Sequence, residues 1–197
     1  MTDEELAAIV ALSSRAFFDD PFFMYMLPDD ALRRSRLPIF FRSVFTHMGT
    51  YGRIVTVRDD ADTAVGVAAW LTTGGYPLPV GLQLRQMPSA FRAFYRRPNL
   101  LLAGNRYVAA LARAHRKDPH WYLMVLCCDP PFQRSGIGTM LLEHALADVD
   151  AEGVGSHLET PRDDNVAYYR RFGYELTETL TPVDGGPPYY AMWRAPP

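Results

Sequence analysis

The sequence predicts a mixed α/β fold built on a central sheet, and three observations carry that expectation. An apolar run, Trp121 to Cys128, ends in a glycine turn that opens a helical pattern; amphipathic helical stretches flank it on both sides; and two earlier segments have the period of strands. At 197 residues the chain suits one domain, residues 1–197, long enough to bury most of its apolar surface in one core.

The elements follow in order. Between Asp3 and Phe18, Leu6, Ile9, Val10, Ser13 and Phe17 recur at helical spacing, with Thr2 or Asp3 placed to cap the first turn. Asp19-Asp20-Pro21 ends that helix. Phe22, Phe23, Met24, Tyr25, Met26 and Leu27 then crowd together as core or as the wall of a binding cleft. A second helix runs from Ala31 to about His47, kinked at Pro38 and ending near Gly49. Arg53 to Arg58 and Ala64 to Thr72 form an antiparallel hairpin across Asp59-Asp60-Ala61-Asp62, and Gly74 to Pro79 is a loop.

From Gly81 to Pro119 the pattern is helical in two pieces divided at Arg97-Pro98-Asn99, with Phe91, Phe94 and Tyr95 marking one apolar face and Leu101, Leu102, Val108 and Leu111 the other. This is a helical insertion before the Trp121 to Cys128 strand, whose continuous apolarity suits a central strand covered on both faces. Leu141, Leu142, Ala145, Leu146 and Val149 form the packed stripe of the next helix, released at Gly153 and Gly155. A strand at Ser156 to Thr160, a helix at Asn165 to Phe172 closed by Gly173, and strands at Tyr174 to Leu180 and Tyr189 to Arg194 complete the chain.

Composition excludes several classes. A formal net charge of -2 offers no footprint for nucleic acid, and the short basic runs Arg33-Arg34-Ser35-Arg36 and Arg113 to Lys117 read as solvated helix faces. The N-terminus is acidic and unlike a signal peptide, and Arg42 interrupts the apolar run at Leu37 to Phe41, so no stretch nears the ~20 residues of a membrane helix. Cys127 and Cys128 are the two cysteines; as strand neighbours they face opposite ways and cannot easily bridge, which suits a reducing cytoplasm. Both read as buried small hydrophobes rather than nucleophiles or metal ligands, and no metal is expected.

The chemistry gathers at Gln133-Arg134-Ser135-Gly136-Ile137-Gly138. Side-chain-free Gly136 and Gly138 at a helix N-terminus let several backbone N–H groups converge on one anion. A Walker loop would need Lys-Ser or Lys-Thr after Gly138, where Thr139-Met140 stands, and a dinucleotide fingerprint would need glycine at Leu141. The stretch instead resembles the Gln/Arg-x-x-Gly-x-Gly loop of the GCN5-related N-acetyltransferases, the GNAT superfamily. A second element, Asn165 through Tyr169 to Gly173-Tyr174, is similar to that family's Asn, Tyr and Gly-Phe, with Tyr174 replacing Phe. Trp121, Leu158-Glu159-Thr160, Ala16-Phe17 with Asp20-Pro21, and the helical insertion resemble the puromycin N-acetyltransferase-like enzymes, strongly from about His120 to Trp193 and thinly before Gly81.

The resemblance implies a GNAT fold, with a mostly antiparallel sheet, splayed middle strands and helices on both faces. It implies acetyl transfer from acetyl-CoA to an amine of a small molecule by direct attack in a ternary complex. The backbone of Leu126, Cys127 and Cys128 would pair with the pantetheine arm, one N–H facing the acetyl oxygen. Gln133, Arg134, Ser135, Gly136, Ile137, Gly138 and Thr139 would take the diphosphate, and Asn165 would contact the cofactor.

Tyr169 is the implied general acid for the leaving thiolate, against a purely packing role; reference pKa values of about 10 for tyrosine and about 8.5 for a thiol leave a small gap for the site to close. Tyr168, about 100° away on the helix, reads as structural. Glu159 is the candidate base, directly or through water, or a structural ion pair; strand alternation puts His157 on its face. Asp19, Asp20, Asp29 and Asp30 attract a cationic acceptor or serve as caps. The chain departs from the family in starting within a few residues of the first helix, which leaves the usual edge strand in doubt. Acetylation of a protein lysine or N-terminus, and a non-catalytic CoA-binding module, remain alternatives, and a homodimer remains open.

Overall fold

The computed structural model describes residues 1–76 and 98–197. Three helices open the chain, α1 (Asp3–Ala16), α2 (Pro21–Met26) and α3 (Asp30–Tyr51). Thr2 caps α1 through a reciprocal pair with Glu5, and Asp20 and Asp29 cap α2 and α3. The crowded apolar segment is therefore a helix, with Phe23 and Met26 buried and Met24 exposed. α3 runs through Pro38 and is longer than its sequence pattern indicated, because its buried face, Leu37, Phe41, Phe45 and Met48, continues across the proline.

Strands β1 (Gly52–Arg58) and β2 (Ala64–Leu71) form the expected hairpin. Helix α4 (Pro98–Ala114) is the described part of the helical insertion; its first predicted piece, with Phe91, Phe94 and Tyr95, lies outside the described residues. Then come β3 (His120–Cys128), a 3-10 turn at Pro130–Phe132, α5 (Ile137–Glu152), β4 (Gly155–Thr160), α6 (Asp163–Arg170), β5 (Glu175–Leu180) and β6 (Tyr189–Arg194). Gly153 at φ 71° and Gly173 at φ 84° terminate α5 and the turn after α6 in the left-handed region, as a C′ glycine does.

The six strands lie in the order β1-β2-β3-β4-β6-β5, antiparallel except for β3 and β4. Helices α1 and α3 cover one face, packing Leu12, Leu37, Phe41 and Phe45 on Val67, Ala69, Val125 and Cys127. Helices α5 and α6 cover the other, packing Leu141, Leu142, Ala145 and Tyr169 on Ala68, Trp70, Leu123 and Leu158. This is the mixed α/β architecture with a mostly antiparallel sheet and helices on both faces. Among the described residues no strand precedes α1, and β1 is the outer strand on that side. No described helix is long and apolar enough to cross a membrane.

Two irregularities in β3 shape the middle of the sheet. Its parallel pairing with β4 covers only His120 to Leu123 against Gly155 to Leu158, so Met124 to Cys128 leave β4 and a gap opens between the strands. At the same point the pairing with β2 shifts, Ala69 opposing Val125 but Trp70 opposing Leu123, which leaves Met124 as an extra residue. That bulge reverses which side chains face which layer: Trp121 and Leu123 join the α5 side, whereas Val125 and Cys127 join the α1 side.

Candidate active site

The glycine turn lies where β3 passes into α5, at the open end of the gap. Arg134 at φ 62° and Gly136 at φ 91° both take left-handed backbone, which turns the chain tightly into α5. No side chain caps the first turn of α5, so its leading amides remain for a ligand. A Cβ at Gly138 would lie 3.2 Å from Tyr168 Oη and 3.9 Å from Cys128 Sγ. Ser135 Oγ donates to the Phe132 carbonyl at 2.6 Å, and Gln133 Nε2 lies 3.4 Å from the Cys128 carbonyl. Gln133 to Thr139 thus run as one continuous turn into the start of α5. Arg15 braces it, donating through Nε and Nη2 to both carboxylate oxygens of Asp129 at 2.8 and 2.6 Å, while the Asp129 N–H reaches the Val65 carbonyl.

Leu126, Cys127 and Cys128 run along the gap with no partner strand on the β4 side. The Cys127 side chain points into the α1 layer, 3.4 Å from Ser13 Oγ, and burial pushes its thiol up to about 12. Cys128 is half-buried and is also raised by burial. Both sulfurs therefore stay protonated, as small buried hydrophobes would.

On α6, Asn165 Nδ2 donates to Thr160 Oγ1 at 2.9 Å, tying the helix start to the end of β4. Tyr169 is buried beside Tyr174, ring centroids 5.8 Å apart, and its hydroxyl has no hydrogen-bond partner among the described residues. Burial, then Tyr174, Tyr168 and Cys127, push its pKa far above the ordinary tyrosine value. The difference from a thiol is thus not closed from the tyrosine side; the same loss of water acts on any thiolate beside it. Tyr168 reaches the glycine turn: its hydroxyl is sealed against Gly138 and Thr139 and is raised chiefly by burial.

At the closed end of the gap Tyr122 pairs with His157, and Glu159 follows on the same face. Glu159 is buried, its side chain 3% exposed; His157 Nε2 donates to its Oε1 at 2.9 Å, and the Tyr122 hydroxyl also bonds to it. Burial and then Glu159 hold the Tyr122 phenol well above its usual range. Beside this group lies a cavity of about 450 Å³ lined by Leu71, Tyr76, His115, His120 and Tyr122 among others.

Sequence reasoning missed the Met124 bulge, His115, His120 and the aromatic set around Glu159. A bulge leaves no compositional mark, and His115 reaches β4 only through tertiary packing. Asp20 does cap α2, yet it is also buried, which raises its pKa to about 6. Asp19, Asp29 and Asp30 stay outside the site.

Comparison with known proteins adds an independent line. A family model described as the acetyltransferase (GNAT) family matches residues 42–174. N-alpha-acetyltransferase 50 of Danio rerio is 34% identical over 62 residues, 29% of this chain and 37% of that protein, so the chain spans about a third of that relative's length. The ribosomal protein bS18-alanine N-acetyltransferase of Salmonella typhimurium is 31% identical over 109 residues, 49% of this chain and 74% of that protein. A solved structure described as histone acetyltransferase HPA2 and related acetyltransferase, from Corynebacterium glutamicum, superposes with a TM-score of 0.76 at 26% identity, over 100% of this chain and 94% of that one.

Proposed function

Because the chain belongs to the GNAT acetyltransferase family, we propose that it is an acyltransferase that transfers acetyl from acetyl-CoA to the amine of a small molecule, by direct attack in a ternary complex on one domain. The observation that carries this reading is the gap between β3 and β4, which opens at one end onto the glycine turn and ends at the other beside buried Glu159. Donor and acceptor then meet at the bulge from opposite ends.

The backbone of Leu126, Cys127 and Cys128 lends its free edge to the pantetheine arm, Gln133 to Thr139 take the diphosphate, and Asn165 borders the arm near Thr160. Attack puts negative charge on the carbonyl oxygen, and preorganised N–H groups at the Met124 bulge and beyond are its stabiliser. The acceptor ammonium loses one proton to Glu159, the free amine attacks and the N–C bond forms, the nitrogen gives up its second proton to solvent as the carbonyl re-forms and the C–S bond breaks, and the thiolate takes a proton from Tyr169, which solvent replaces. Burial keeps the Tyr169 hydroxyl protonated, and the transfer rests on the same loss of water raising the thiolate beside it.

A small acceptor is supported by the cavity of about 450 Å³ lined by His115 and Tyr122, the neighbours of Glu159, within the about 300–1,000 Å³ usual for small-molecule sites. Tyr76 lines that cavity, and residues 77–97, which follow it, lie outside the described residues. A protein N-terminal amine is the second reading, favoured by the 62-residue similarity to N-alpha-acetyltransferase 50.

The test is a thiol-release screen with acetyl-CoA against puromycin, aminoglycosides, arylalkylamines and N-terminal peptides, with mass spectrometry of the products. Saturable release with a small amine is expected, with Tyr169→Phe lowering kcat at least about tenfold while the KM for acetyl-CoA stays within about threefold. Turnover only on peptides would overturn the acceptor class; unchanged turnover of Tyr169→Phe across pH would overturn the acid.

A further inference from the structure

The geometry points to a divalent transition-metal site of zinc type formed by His115, His157 and Glu159 on the acceptor side of the sheet. His157 and Glu159 are alternate residues of β4 and share a face. His115, just past the last turn of α4, is laid over them, its ring 4.9 Å from that of His157. One donor atom from each residue lies within 4.8 Å of the other two. Zinc bound at about 2.0–2.2 Å needs tetrahedral donors roughly 3.3 Å apart, and His157 Nε2 and Glu159 Oε1 already stand at 2.9 Å.

Three further observations single this cluster out. Glu159 is a buried carboxylate, and among the described residues its partners are a histidine and a phenol, with no Lys or Arg. His157 is wholly buried, with its Nε2 held against the Glu159 carboxylate. His115 keeps a free lone pair: His120 Nδ1 donates to the Asp118 carbonyl at 2.5 Å, so His120 Nε2 accepts from His115 Nε2 at 3.0 Å, and the Nδ1 of His115 carries the unshared pair.

The donor set selects the ion. Two imidazoles and one carboxylate suit zinc and its neighbours, whereas magnesium and calcium ask for oxygen. The cavity lined by His115, His120 and Tyr122 provides the way in and leaves room for water at a fourth position. The His120 contact to His115 orients that ring from behind, as outer partners of metal ligands do. A loaded site ties up the Glu159 carboxylate, so the ion slows acetyl transfer; that consequence rests on the proposed function, and the binding itself does not.

The experiment uses the full chain without acetyl-CoA. Zinc affinity is measured by competition with a chromophoric chelator, and cobalt is added to read the visible absorption of a four-coordinate site. One zinc per chain is expected, weakened at least about tenfold by His115→Asn and by Glu159→Gln, each checked for native circular dichroism. His144→Ala, a surface histidine beside Arg53, leaves the affinity unchanged. Absence of saturable stoichiometric binding, or binding insensitive to both His115→Asn and Glu159→Gln, overturns the site. Zinc binding without loss of acetyl transfer overturns only the inhibition and leaves the ligand set standing.

Discussion

Asp20 combines two demands that oppose each other. Its carboxylate accepts the Phe22 and Phe23 amides at 3.0 and 3.4 Å as the cap of α2, which favours the anion, yet it is 7% exposed and burial raises its pKa to about 6. Because the folded value stands above the unfolded one near 3.8, the stability it contributes is complete below about pH 4 and fades as pH rises through about 6. Asp20→Asn keeps a capping oxygen and never ionises. Relative to the parent it is therefore expected to gain stability between pH 4 and pH 8, by at most about 3 kcal/mol, in urea unfolding at the two pH values. A pH-independent difference would contradict this account. Tyr169 carries a related lesson: its spacing to Gly173 marked it in the sequence, but its depth in the α5 layer, and the protonation that depth enforces, came from packing against Tyr174.

At the scale of elements, the glycine turn works because α5 is seated tightly on the sheet. Gly66 of β2 lies beneath the start of that helix, where a Cβ would collide with Ile137 Cγ2 and stand 3.2 Å from Leu141 Cδ1. Gly66→Val is expected to lift the first turn of α5, costing about 1–3 kcal/mol of stability and raising the KM for acetyl-CoA severalfold, read by denaturant unfolding and steady-state kinetics. A KM that stays put while stability falls would detach the seat of α5 from donor binding. The element boundaries themselves were largely legible: the period of 3.6 in α1 and α5 and the alternation in β1 predicted them to within a few residues. α2 was not, because six adjacent apolar residues carry no period until Asp20 caps them and Pro21 starts the turn.

For the molecule as a whole, the proposed donor site draws on parts far apart in sequence: the β3 edge, the turn before α5, and α6. A ligand that binds only the folded state stabilises it by RT ln(1 + [L]/Kd), about 2.7 kcal/mol at a hundredfold excess over Kd. For a chain of this size acetyl-CoA at that excess is expected to raise Tm by roughly 5–10 °C in a thermal-shift measurement. Gly136→Ala, which forces a side chain into backbone at φ 91°, is expected to reduce the shift at the same concentration. A shift equal to that of the parent would remove the turn from the donor site.

The sequence by itself determined the family, the order of most strands and helices, and the glycine turn that opens α5, because backbone turns and periodic burial are written locally in glycine positions and apolar spacing. Tertiary structure alone decided the rest. The parting of β3 from β4 at Leu123, the bulge at Met124, the reach of Tyr168 to Gly138, and the gathering of His115, His157 and Glu159 each depend on register and packing between segments distant along the chain. No local pattern encodes a contact whose two halves are folded together only by the sheet.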